Sequence, residues 1–215
     1  FDRQNTAFYA DVEYAMGDAL LLQFAARSED FSDFGATSNI KVAGRYSFGD
    51  LATLRGGYST GFRAPTPGQS NYTGIVTSFD GPTGMQVQEG TVRPDDPLAV
   101  ALGGALLVPE EATNTSFGFT TSPIDNLSLT FDMYTIDIVN KIIKSRSLPV
   151  ENNPEFKKLA FYTNALDTET SGFDLVLTYR MGDNNLGLAM NHNETKMVEH
   201  RKIGPDQLDP ISTGL

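Results

Sequence analysis

"NIKVAGRYSFGDLATLRGGYSTGFRAP" (39–65) holds two strands, a turn and an exit. Ile40, Val42, Tyr46 and Phe48 share one parity, and Asn39, Lys41, Arg45 and Ser47 share the other. Period two of this kind belongs to a strand whose two faces meet different surroundings. Phe48-Gly49-Asp50 supplies hairpin-turn residues. Leu54 and Tyr58 then resume the apolar parity opposite Thr53, Arg55 and Ser59. The second strand runs out at Gly61-Phe62-Arg63, where Pro65 and Pro67 forbid a further ladder.

Outward from this hairpin the same period recurs. Phe8, Ala10, Val12, Tyr14 and Met16 alternate with Asp11 and Glu13, and Leu127, Leu129, Phe131 and Met133 with Ser128, Thr130 and Asp132. Phe173, Leu175, Leu177 and Tyr179 alternate with Asp174, Thr178 and Arg180. Eight strands are predicted, at approximately 5–16, 19–30, 38–48, 51–61, 111–121, 127–140, 168–181 and 186–196. Tight turns join them in pairs at Met16-Gly17-Asp18, Phe48-Gly49-Asp50, "SPIDN" (122–126) and "GDNN" (182–185). The other connections are longer, above all 62–110 and 141–167. A compact soluble domain rarely carries a loop of nearly fifty residues. Outer-membrane barrels combine short turns at one end with long loops at the other. Strand length agrees: bilayer-crossing strands need about 9–11 residues, whereas globular strands average about 5–6. The fold expected is all-β, an antiparallel up-and-down meander of about eight long strands, forming a segment of a large outer-membrane β-barrel.

Energetics decides which face is wet. A lysine or arginine in lipid near the midplane costs about 2–4 kcal/mol. Lys41 and Arg45 must therefore face a wet lumen, together with Arg27, Arg55, Asp132, Asp174 and Arg180 on the corresponding parity of their strands. So polar an interior disfavours a narrow, packed eight-strand barrel.

Composition narrows the function. The 215 residues carry a net charge of −11 and no cysteine. That charge argues against nucleic acid, and no disulfide framework or thiolate metal site is available. The longest apolar run, Leu98–Val108, is too short for a membrane helix, which needs about 20 residues. Ser116, Ser128 and Ser171 lie in no nucleophile-elbow context, and no glycine cluster forms a phosphate loop. His192 and His200, with Glu194 and Glu199, match no compact ligand spacing. Asp95-Asp96 and Glu110-Glu111 read as solvated acidic loop. Neither an enzyme, a resident metal nor a cofactor is expected. The apolar "DPLAVALGGALLVPEEA" (96–112) reads as a loop segment folded back onto the scaffold. Arg63, Asn71, Tyr72, Phe79 and Arg93 mix aromatic and hydrogen-bonding character in the long loop and are the candidate ligand-binding residues.

Three stretches resemble the barrel of TonB-dependent outer-membrane receptors: residues 39–69, "PEEATNTSFGFTTSPIDNLSLTFDMYTIDIVNKI" (109–142) and "NALDTETSGFDLVLTYRM" (164–181). In that family a Tyr-Ser-Thr-Gly-Phe-Arg-Ala-Pro strand end, here 58–65, leads into a long extracellular loop. A Pro-Glu-Glu stretch, here 109–111, opens the next strand, and a Tyr-x-Ile-Asp-Ile pattern, here 134–138, ends its hairpin partner. The resemblance implies a bacterial outer-membrane location and active uptake of a scarce nutrient of the siderophore-iron, cobalamin or glycan class. It further implies a plug domain and a TonB energy-transducing complex as partners, besides membrane lipid and the small ligand. The sequence displays no plug, so residues 1–215 are expected to be one partial barrel domain whose open sheet edges must be hidden. The rival readings are a soluble β-sandwich binding module and a small closed outer-membrane barrel.

Overall fold

A computed structural model describes residues 2–79, 81–151, 153, 155–204 and 208–211. Eight long strands make one antiparallel sheet: β1 (Asn5–Met16), β2 (Leu20–Phe31), β3 (Gly35–Phe48), β4 (Ala52–Arg63), β7 (Glu110–Ile124), β8 (Leu127–Lys144), β11 (Tyr162–Met181) and β12 (Asn184–His200). They lie in chain order, so the sheet is a meander with β1 and β12 at its two edges. The sheet does not close on itself, since those two strands do not pair. The short turns fall at one end, where Gly17 and Gly49, both at φ 58°, supply the left-handed residue that a tight hairpin needs.

Register fixes the faces. The row Arg45↔Arg55↔Gly118↔Asp132↔Asp174↔Asn191 runs across six strands on one side. The row Met16↔Leu20↔Tyr46↔Leu54↔Phe119↔Phe131↔Leu175↔Met190 crosses all eight on the other. The second face is apolar and uncovered: Val12 is 59%, Phe48 50% and Leu188 52% exposed. A sandwich would bury that face beneath a second sheet; here nothing among the described residues lies over it.

The segments between the long strands are more ordered than their composition suggests. Residues 64–109 hold α1 (Pro67–Asn71), the hairpin of β5 (Gly74–Phe79) and β6 (Gln86–Thr91), and α2 (Pro97–Ala101). A second connection holds β9 (Leu148–Pro149) and β10 (Phe156–Ala160). β5, β6, β10 and β9 form a separate four-stranded sheet. Val92, Ala99, Leu148, Leu159, Phe161, Ala165 and Ile203 meet in one buried cluster, with Leu159, Leu148, Ala99 and Phe161 fully inaccessible. We call this loop-end body the cap. The apolar 96–112 segment enters it through Ala99, flanked by Leu98 and Leu102, whereas Val100, Leu106 and Val108 stay exposed.

β8 and β11 run past their expected ends at 140 and 168, to Lys144 and back to Tyr162. The cause is a pair of offset bulges. Asn140 adopts φ 56° opposite Asp167, and a second register shift lies between Asn164 and Leu166. Each bulge reverses the parity of the residues beyond it, so alternation is lost in sequence while the ladder continues in space. Side chains tie the irregularity down. Asp167 Oδ1 accepts from the Asn140 N–H at 2.9 Å, and Asn164 Nδ2 donates to the Asn140 carbonyl at 2.6 Å.

Candidate functional site

On the polar face, Arg55 reaches across β7 to Asp132, donating from Nε at 2.9 Å and from Nη2 at 2.5 Å, with Nη1 on the Thr120 hydroxyl at 2.9 Å. Gly118 lies directly between them in the ladder. A Cβ there would fall on the Asp132 carboxylate and within 3.0 Å of Arg55 Nε. The missing side chain is what lets the guanidinium pass. Asp174, beside Asp132, accepts from Asn191 Nδ2 at 2.6 Å, and Arg27 donates to Glu29 at 2.7 Å. Lys41 and Arg45 stand over a shallow hollow floored by Ala43, Gly57, Ser116 and Gly118. The register puts all seven expected lumen residues, Arg27, Lys41, Arg45, Arg55, Asp132, Asp174 and Arg180, on this one face.

The five loop candidates separate. Arg63 closes the top of β4 against Glu110, with Nε donating to Oε2 at 2.7 Å. The Ile142 N–H donates to the same carboxylate at 2.6 Å. Burial pushes the Glu110 carboxyl up, but Arg63 and the Ile142 N–H outweigh it and hold it below the usual carboxylate range. Arg63 is thereby committed to a structural lock between β4, β7 and β8. Asn71 and Arg93 do share a cleft of about 170 Å³, with Asp33, Phe34, Pro65 and Leu106 among its walls. There Arg93 is paired with Asp95, Nε to Oδ1 at 2.9 Å, which lowers the Asp95 carboxyl. Tyr72 lies outside this cleft as the C-cap of α1, and Phe79 is 71% exposed at the end of β5.

No pattern in the sequence marks Arg3. It pairs with Asp33 at 2.6 Å, donates to the Pro65 carbonyl at 2.7 Å and lies 5.2 Å over the Phe34 ring. Residues so far apart in the chain leave no spacing signal. Arg201–Asp167, at 2.5 Å, is a second such clamp. His192 packs against Phe173 on the apolar face at 5.7 Å, whereas His200 lies 3.6 Å from Asp209. The two histidines make no common site.

The model of the family "TonB dependent receptor-like, beta-barrel" matches residues 1–204. The chain belongs to that family. No curated protein matches it by sequence. Among solved structures, the siderophore receptor PirA from Pseudomonas aeruginosa is similar over 92% of this chain and 35% of its own, at 17% identity and TM-score 0.67. The FrpB iron transporter from Neisseria meningitidis (F3-3 variant) is similar over 98% of this chain and 28% of its own, at 14% identity and TM-score 0.61. The RagAB peptide transporter covers 92% of this chain and 23% of its own, at 16% identity and TM-score 0.63. These identities establish the fold alone. The chain spans about a third or less of each of these three structures. Family and neighbours are receptors and transporters, not enzymes.

Proposed function

We propose that this chain is part of the wall of a TonB-dependent receptor in a Gram-negative outer membrane, and that the intact protein takes up a scarce nutrient. The coincidence of faces and ends carries this reading. One face of the sheet carries an exposed apolar band, the other carries the rows of Lys41, Arg45, Arg55 and Asp132, short turns occupy one end, and a packed cap occupies the other. In a membrane the apolar face meets lipid and the charged face lines the lumen. A plug domain would then sit against Lys41, Arg45 and Arg55, where the TonB complex acts on it. The segments within 62–110 and 141–167 would stand outside the cell.

Of the loop candidates, Asn71 and Arg93 are the ones we assign to ligand contact, because they alone share a cleft. Tyr72 and Phe79 offer exposed aromatic surface nearby in sequence, and Arg63 holds the strand ends beneath. PirA is described as a siderophore receptor and FrpB as an iron transporter, so a ferric siderophore is the first ligand to try, ahead of cobalamin and glycans. The address comes before the ligand. An antibody against the chain should find its antigen in the outer-membrane fraction of source cells. Antigen found only in a soluble fraction would sink the proposal.

A further inference from the structure

The ladder between β3 and β4 is incomplete. Pairing runs from Phe48↔Ala52 to Lys41↔Ser59 and stops there. β3 nevertheless begins at Gly35 and β4 ends at Arg63. Both remain held from behind, β3 by β2 as far as Phe31↔Gly35, and β4 by β7 as far as Arg63↔Glu110. Two neighbouring strands therefore part along their loop-end halves. At the base of the gap the Thr60 hydroxyl stands in for a ladder carbonyl, accepting from the Ile40 N–H at 3.0 Å. At the top Phe34 and Phe62 close it with ring centroids 6.3 Å apart, under the Arg3 clamp. What remains is a window in the wall, a cavity of about 320 Å³.

Its chemistry is specific. Because the Ile40 N–H points toward β4, strand alternation turns the N–H and C=O groups of Ala36 and Ser38 the same way, and no ladder partner meets them. Ser38, Thr60 and Thr113 add hydroxyls, Glu111 a carboxylate and Phe62 an aromatic ring. Thr37, which also lines the window, has a buried hydroxyl oxygen with no partner. No lysine or arginine lines it. An acyl chain would leave these donors and acceptors unsatisfied, and a phosphate would meet Glu111 with no cation in the lining. A polypeptide strand could not lie in the plane of the sheet, since both ends of the gap are closed. A sugar ring fits all three constraints, with hydroxyls that both donate and accept and a C–H face for Phe62.

Height supplies the source. Ser38 and Thr60 are the next same-face positions beyond Ile40 and Tyr58, and the row at Thr60 is polar across the sheet, through Thr113, Asp137, Glu169 and Lys196, with Phe62 one step further out on β4. Given the membrane reading above, on which this rests, the window lies at the level of the outer headgroups. We propose that it binds a neutral saccharide ring presented by the membrane surface.

The test measures hydrogen exchange at amides 36–40 and 60–62 of the chain in three micelles. Lauryldimethylamine oxide carries no sugar, tetraethylene glycol octyl ether is uncharged and sugarless, and dodecyl maltoside presents a sugar. Dodecyl maltoside alone should slow these amides, by roughly tenfold if the bound state dominates. Ser38→Phe, which fills the window from the same face, should abolish the slowing, and Glu111→Gln should weaken it. Slowing by free maltose would also support the site, the ring alone then being enough. Equal exchange in all three micelles, or slowing that survives Ser38→Phe, would overturn it. The membrane reading fails separately, if the chain is folded and monomeric without detergent; the maltose arm can still be read in that case.

Discussion

The wall and the cap place apolar side chains by opposite rules. In the cap, Phe161, Leu148 and Leu159 are fully buried against one another. In the wall, Phe48, Val12 and Leu188 are about half exposed, touched only by neighbours within the sheet, as Phe48 is by Tyr46, and nothing among the described residues lies over them. The cap makes its own core, as water-surrounded structure must. On the membrane reading proposed above, the wall leaves its apolar surface to a solvent that is itself apolar. One chain therefore carries two folding problems, separated at the loop ends of the strands.

The largest effect should come from emptying the cap. Phe161→Ala should cost about 3–5 kcal/mol, because neighbours relax only partly around the cavity. Phe119→Ala on the apolar face should cost clearly less, since lipid or detergent fills the space it leaves. Denaturant titration in micelles reads both, and equal losses would break the comparison. Next comes charge. Val42→Arg should destabilise the embedded wall by about 2–4 kcal/mol, while Ala43→Arg, on the polar face, should be nearly silent. Comparable losses from the two would mean that the faces are not differently solvated.

A smaller effect sharpens the boundary between the regions. Glu110 is held below the ordinary carboxylate value of 4.5. Its stabilisation of the strand tops is therefore fully present above pH 4.5 and is lost as pH falls below that value toward the depressed one. Amides near Ile142 should lose exchange protection across that acid window, and in Glu110→Gln the acid dependence should vanish. Smallest of all, Gly118→Ala should displace Arg55 from Asp132. This pair is more than one-third exposed on both sides, so at most about 1 kcal/mol is expected. The readout is the Arg55 side-chain geometry in a structure of the variant; an unmoved Arg55–Asp132 pair would refute the gating role of Gly118.

The wall was largely legible in the sequence because its signal is local. Ile40, Val42, Tyr46 and Phe48 against Lys41 and Arg45 declare both strand and faces, and Gly49 declares the turn. Legibility failed where parity reverses, at Asn140 and around Ala165, since a bulge costs a pattern its phase without ending the strand. The cap was opaque for another reason. Its core joins Val92, Ala99, Phe161 and Ile203 from distant segments, and such contacts have no period. The candidate site divides the same way. The polar-face residues follow from alternation, while the clustering of Asn71 with Arg93, and the locking of Arg63 by Glu110, depend on tertiary packing.

One measurement addresses the central claim directly. These 215 residues hold no cysteine, so single cysteines can be placed at Val42 and at Ala43, with the unsubstituted protein as the labelling control. In native outer membranes a water-soluble maleimide should label Ala43→Cys and spare Val42→Cys, with the order lost on denaturation. Equal labelling of the two, or preferential labelling of Val42→Cys, would contradict a wall with lipid on one face and water on the other.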